Sequence, residues 1–138
     1  MIDVEQYKPA IKTIAEKHDL MFVILFGSQS TGRATPNSDI DIAVLGRQPI
    51  SMNVLVALND AFSQTFKFPE MDVKSLYRTT ALFRYQVTLH GILLYGSPLE
   101  YCRYQDYAFK CYHDSKDLFQ LRDQITRKRL QHLRAKII

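Results

Sequence analysis

The sequence predicts a mixed α/β domain: a small sheet flanked by helices, with a long helix at its C-terminal end. Three observations carry that expectation: one continuous apolar run, two segments of strict alternation, and helix-period stripes between them. Ile11, Ile14 and Ala15 recur at three- and four-residue spacing, so residues 5–18 read as an amphipathic helix. Met21–Phe26 is apolar throughout and ends at Gly27, the pattern of a strand buried on both faces. Residues 28–38 are polar, contain Gly32 and Pro36, and read as a loop. Asp39–Leu45 alternates acid and apolar residue, then turns apolar, which makes a second strand with both aspartates on one face. Ser51 is placed to cap a helix over residues 52–65. Glu70–Leu76 alternates again, a third strand, and Thr79 or Thr80 can cap a helix ending near His90. Gly91–Tyr95 reads as a short edge strand, and from Leu99 onward Phe109, Tyr112, Lys116 and Phe119 keep helical spacing.

A chain of 138 residues suits one domain, and its 46% hydrophobic content is too high for general disorder. Cys102 and Cys111 form no CxxC or Cys/His cluster, so they read as reduced thiols in a cytoplasmic protein. The first residues carry Asp3 and Glu5 where a signal peptide is basic, and the longest apolar run is six residues. A membrane span needs roughly 20, so neither secretion nor insertion is expected. The net charge of +4 is unevenly spread. From Arg122 onward six basic residues meet one acid, a net of +5, whereas residues 1–121 sum to −1.

The chemistry concentrates at the first two strands. Gly27 can turn the chain sharply and approach a ligand closely, and Ser28 adds a hydroxyl and a backbone N–H suited to phosphate oxygens. Asp39 and Asp41 are paired hard-oxygen ligands on one strand face, a pattern that suits Mg²⁺ with substrate phosphates. Asp72 offers a third carboxylate on the next strand. Three converging acids can hold two metal ions about 3.5–4 Å apart, and Asp72 can also serve as general base to an acceptor hydroxyl. An Asp-x-Asp pair alone is most often two solvated acids. Here it opens a strong strand, where aspartate is a poor former, and follows a Gly-Ser turn.

Gly27-Ser28, ten intervening residues, then Asp39-Ile40-Asp41 resembles the defining motif of the DNA polymerase β-like nucleotidyltransferase superfamily. Small size, the loop TGRATPNSD and the segment LFRYQVTLHGILLYG resemble its minimal nucleotidyltransferase (MNT) branch, and within it the MntA-type antitoxins of HEPN/MNT toxin–antitoxin pairs. The resemblance spans residues from about 10 to 100. It implies a nucleotidyltransferase domain over 1–98, with 99–138 a helical extension of the same domain. Asp39, Asp41 and Asp72 would be catalytic and metal-binding, holding two Mg²⁺ ions. Gly27 and Ser28 would hold the triphosphate of ATP, and Ser38 would cap locally or contact phosphate. Arg33 lies near a family position that is often basic, although it follows Gly32 where the common order is Ala-Arg-Gly. The implied activity is transfer of AMP from ATP to a tyrosine of a HEPN ribonuclease toxin, which silences it.

Two other functions remain in view: nucleotidyl transfer to a small-molecule, aminoglycoside-like acceptor, and neutralisation of the partner by binding alone. Shortness of the chain weighs against the first, and the intact acids weigh against the second as sole function. Tyr95, Tyr101, Tyr104, Tyr107 and Tyr112 lie upstream of Arg127-Lys128-Arg129. A solvated helix end is the plainest reading of that basic segment, a protein interface the next, and direct nucleic-acid binding the least favoured. His113 and His132 read as isolated surface residues.

Overall fold

A computed structural model describes residues 4–27, 40–68 and 71–137. After a 3₁₀ turn at Glu5–Tyr7 come α1 (Lys8–Lys17), β1 (Leu20–Phe26), β2 (Ile40–Gly46), α2 (Met52–Phe66), β3 (Met71–Ser75), α3 (Ala81–His90), β4 (Ile92–Tyr95) and α4 (Pro98–Ile137). The expected mixed sheet with flanking helices is therefore the observed one. The first helix starts later than its apolar period, because Pro9 favours the helix's opening turn and the preceding residues tighten into 3₁₀.

The strand order is β3-β2-β1-β4. β1 pairs antiparallel with β2 and with β4, whereas β2 and β3 run parallel. Parallel pairing needs a crossover, and α2 supplies it. Ser51 accepts the Val54 N–H at 3.3 Å to start α2, and Thr80 accepts the Phe83 N–H at 3.1 Å to start α3. Each such cap stabilises its helix by about 1 kcal/mol.

Alternation sorts the strand side chains onto two faces. Val23, Leu25, Ile40, Ile42, Val44 and Val73 point to α1 and α2, where Ile11, Leu58 and Phe62 close the main core. On the other face Phe22, Ile24 and Ala43 meet Val87 of α3 and Tyr101 of α4. The amide Nε2 of Gln105 donates to the Thr88 carbonyl at 3.1 Å, tying α4 to α3.

Of the C-terminal aromatics, Tyr101 and Tyr104 belong to this second core. Tyr101 and Tyr104 lie 5.5 and 5.6 Å from the Phe22 ring. Tyr112 stacks on Tyr85 at 4.7 Å. His113 is likewise no isolated surface residue: it sits 4.2 Å from Phe109 and edge-on to Tyr85. Beyond that cluster α4 leaves the body, and every residue from 116 to 136 is exposed. Cys102 and Cys111 are both free thiols. No helix among the described residues is long and apolar enough to cross a membrane.

Among the described residues the buried Tyr101 hydroxyl has no hydrogen-bond partner. Burial, with Tyr104 beside it, pushes the Tyr101 phenol up to about 12 from 10.0. The unfolded chain loses this proton first, so stability present below pH 10 drains away as pH rises toward 12. Tyr101→Phe should be at least as stable as the parent at neutral pH, because it removes an unsatisfied hydroxyl. It should also lose less stability than the parent in alkali. Urea midpoints measured near neutrality and between those two pKa values check both.

Candidate active site

β1 ends at Phe26, directly opposite Asp41 on β2. The chain then turns at Gly27 with φ +79°. That left-handed conformation favours glycine, and the space favours it too. A Cβ on Gly27 would overlap Oδ2 of Asp41 and stand 3.3 Å from its Cγ. The turn backbone is therefore packed directly on a carboxylate.

On its other side β2 pairs with β3 in a register that sets Asp41 beside Asp72. Ile40, Ile42 and Val73 anchor the opposite face in the main core, so alternation turns both acids toward the α3/α4 side. Near this end of the two strands the helices leave the sheet uncovered: Asp41 is half-buried and Asp72 exposed. Two carboxylates a strand spacing apart, about 5 Å, repel by on the order of 3 kcal/mol at an effective dielectric of 20. Lys74 partly offsets this, its Nζ lying 3.5 Å from Asp72 Oδ2 with both side chains half exposed. An exposed pair of that kind is worth about 0–1 kcal/mol. A divalent cation between the acids would turn the repulsion into attraction, and the donor set is all carboxylate oxygen, the chemistry Mg²⁺ takes. The residues present fit such an ion. No group of three or more His, Cys, Asp or Glu is gathered among the described residues. Asp39, the remaining acid of the expected set, lies outside them, as do Ser28, Arg33 and Ser38.

Gly27 and Asp72 thus both lie beside Asp41, one packed on its carboxylate and the other paired with it in register. Sequence reasoning missed Lys74 and the wall beside it. Lys74 lies 5.7 Å over the Phe83 ring, and Phe83 meets Phe26 edge-on at 5.6 Å. The signal was present: in Met71-Asp-Val-Lys-Ser75, period two puts Lys74 on the Asp72 face.

A glycine turn thus abuts one of two strand acids that stand in register. The chain belongs to the polymerase β nucleotidyltransferase family, whose model matches residues 9–98. Comparison with curated proteins gives no match. Among solved structures, a crystal structure of a toxin–antitoxin with AMP-PNP superimposes with a TM-score of 0.71 at 23% identity, covering 86% of this chain and 98% of that one. A tri-AMPylated Shewanella oneidensis HEPN toxin in complex with an MNT antitoxin gives 0.67 at 20% identity, covering 89% and 98%. The MntA-HepT toxin–antitoxin gives 0.67 at 20%, covering 88% and 98%. At these identities the likeness shows a shared fold.

Gly27→Ala should lower stability by at least about 1 kcal/mol, from the left-handed φ and the overlap with Asp41 together. Adding Asp41→Ala should recover part of that loss. A double-mutant cycle on urea unfolding reads the coupling, and strictly additive effects would mean the turn does not rest on Asp41.

Proposed function

We propose that this chain is a Mg²⁺-dependent protein adenylyltransferase, the antitoxin of a HEPN toxin, which silences its partner by transferring AMP from ATP to a tyrosine. The observation that carries this reading is the pairing of Asp41 with Asp72 beside the Gly27 turn. Family membership supports nucleotidyl transfer as the reaction class. The fold likeness to toxin–antitoxin structures, one with AMP-PNP and one with a tri-AMPylated HEPN toxin, supports the donor and the acceptor.

In this reading Gly27, Ser28 and Ser38 hold the triphosphate, with Arg33 as a further phosphate contact. Asp39, Asp41 and Asp72 hold the metal. Bound Mg²⁺, as two ions, supplies charge neutralisation on the phosphate oxygens and acidifies the acceptor hydroxyl. Asp72, exposed at the open end of the strands, takes the phenol proton. The phenolate oxygen forms a bond to the α-phosphorus. The bond from that phosphorus to the bridging oxygen breaks, and pyrophosphate leaves. The product is an AMP-tyrosine phosphodiester. Both thiols and ATP fit a cytoplasmic site of action.

Neutralisation by binding alone is the second reading, favoured by the bare length of α4. Intact mass of a co-expressed HEPN partner, after incubation with ATP and Mg²⁺, separates the two. The parent should add one or more AMP units. Asp39→Asn with Asp41→Asn should be slower by at least about a hundredfold, since metal stabilisation of the transition state is worth several kcal/mol. A stable complex without any mass gain would leave the binding-only reading. Transfer to an aminoglycoside-like molecule but to no protein would select the small-molecule acceptor.

A further inference from the structure

Among the described residues the outer part of α4 is packed into neither core cluster. Residues 116–136 are all exposed, and at 1.5 Å per residue they extend the helix by about 30 Å. Leu118, Phe119, Leu121, Ile125, Leu130 and Leu133 lie along it at 45–67% exposure. A helix of this length with no apolar face packed is marginal in water. Large apolar side chains gathered on it mark a surface meant to be covered.

Charge narrows what covers it. Arg127 and Arg134 are seven residues apart, so they share one flank of the helix. Arg129 and Lys136 share the other flank by the same spacing. At 100° per residue Leu130 and Leu133 fall between the two cation rows. Asp123 is paired with Arg127 at 3.1 Å and Asp117 is the other acid of residues 116–136, so against seven lysines and arginines the segment keeps a net charge of +5. A second copy is a poor occupant, because it would bring like-charged rows together, and the remaining 121 residues offer a net charge of only −1. Nucleic acid would satisfy the cations but leave the leucine row wet. An apolar groove with an acidic rim on a protein partner satisfies both.

The base of this arm supplies the continuation. A hollow of about 670 Å³ lies where α4 parts from the start of α3, lined by Leu82, Tyr112, Lys116 and Phe119 among others. Leu82 precedes Phe83, the ring under Lys74 beside Asp72. α4 itself packs on the sheet face of Phe22, Ile24 and Ala43, the face to which Asp41 and Asp72 also turn, so the arm continues from that side of the sheet.

We propose that residues 116–136 of α4 are the grip for the acceptor protein, seating Leu130 and Leu133 in an acid-rimmed apolar groove of that partner and so bringing it to the Asp41/Asp72 face. This rests on the protein-acceptor reading above.

The test uses the full chain and the HEPN partner of the mass measurement. One variant carries Arg127→Glu, Arg129→Glu, Arg134→Glu and Lys136→Glu. A second carries Leu130→Ser and Leu133→Ser. Calorimetry should show the charge variant binding the partner at least roughly tenfold more weakly near 0.1 M salt, with the gap closing toward 1 M salt. The leucine variant should be weaker at both. ATP binding should stay at the parental value, and any rate loss should fall on KM for the partner rather than on kcat. Unchanged partner affinity in both variants overturns the proposal. So does a loss confined to single-stranded RNA or to anionic vesicles. Arm-dependent binding without AMP transfer overturns the adenylyltransferase reading alone. AMP transfer at parental KM in both variants overturns the grip alone.

Discussion

The lateral register of β2 against β3 is the constraint on which the site depends. It is set from behind. Ile40, Ile42 and Val44 of β2 and Val73 of β3 are buried against α1 and α2, so their neighbours Asp41 and Asp72 must face the other way. A one-residue slip of β3 would send Val73 to the open face and Asp72 into the apolar core. Burying an unpaired carboxylate costs far more than the side-by-side repulsion of two half-solvated ones. The core thus holds two like charges together, an arrangement that local electrostatics would not choose.

Much of this was legible because the period of a strand is two. Alternation in Asp39–Leu45 and Glu70–Leu76 assigned acids and apolar residues to opposite faces before any strand order was known. Strand order itself was not legible, since nothing local says that β2 lies between β3 and β1. The C-terminal aromatics show the limit from another side. Tyr101 and Tyr112 look alike as sequence, yet one is buried on Phe22 and the other stacks on Tyr85. Which ring meets which depends on where α4 crosses the sheet, a tertiary fact. Lys74 was readable in principle. It went unread because a lysine beside an aspartate is usually just a solvated pair.

The molecule divides its tasks along its length. The sheet and its first three helices build a rigid frame for two acids and a glycine turn. The first turns of α4 finish that frame through Tyr101, Tyr104 and Ala108. Among the described residues the outer turns of α4 join neither core cluster, and they hold the basic surplus of the chain. On the proposed reading, chemistry would be altered at β2 and β3 and partner binding along the arm.

On the proposed reading, Asp41 and Asp72 share a cation across the β2–β3 register. Electron paramagnetic resonance of Mn²⁺ titrated into the full chain with an ATP analogue measures it directly. The parent should remove free Mn²⁺ from solution at a defined stoichiometry. Asp72→Asn should do so at least roughly tenfold more weakly while urea unfolding stays near the parental midpoint. Equal Mn²⁺ affinity in parent and variant would contradict a shared site and leave Asp72 outside the metal centre.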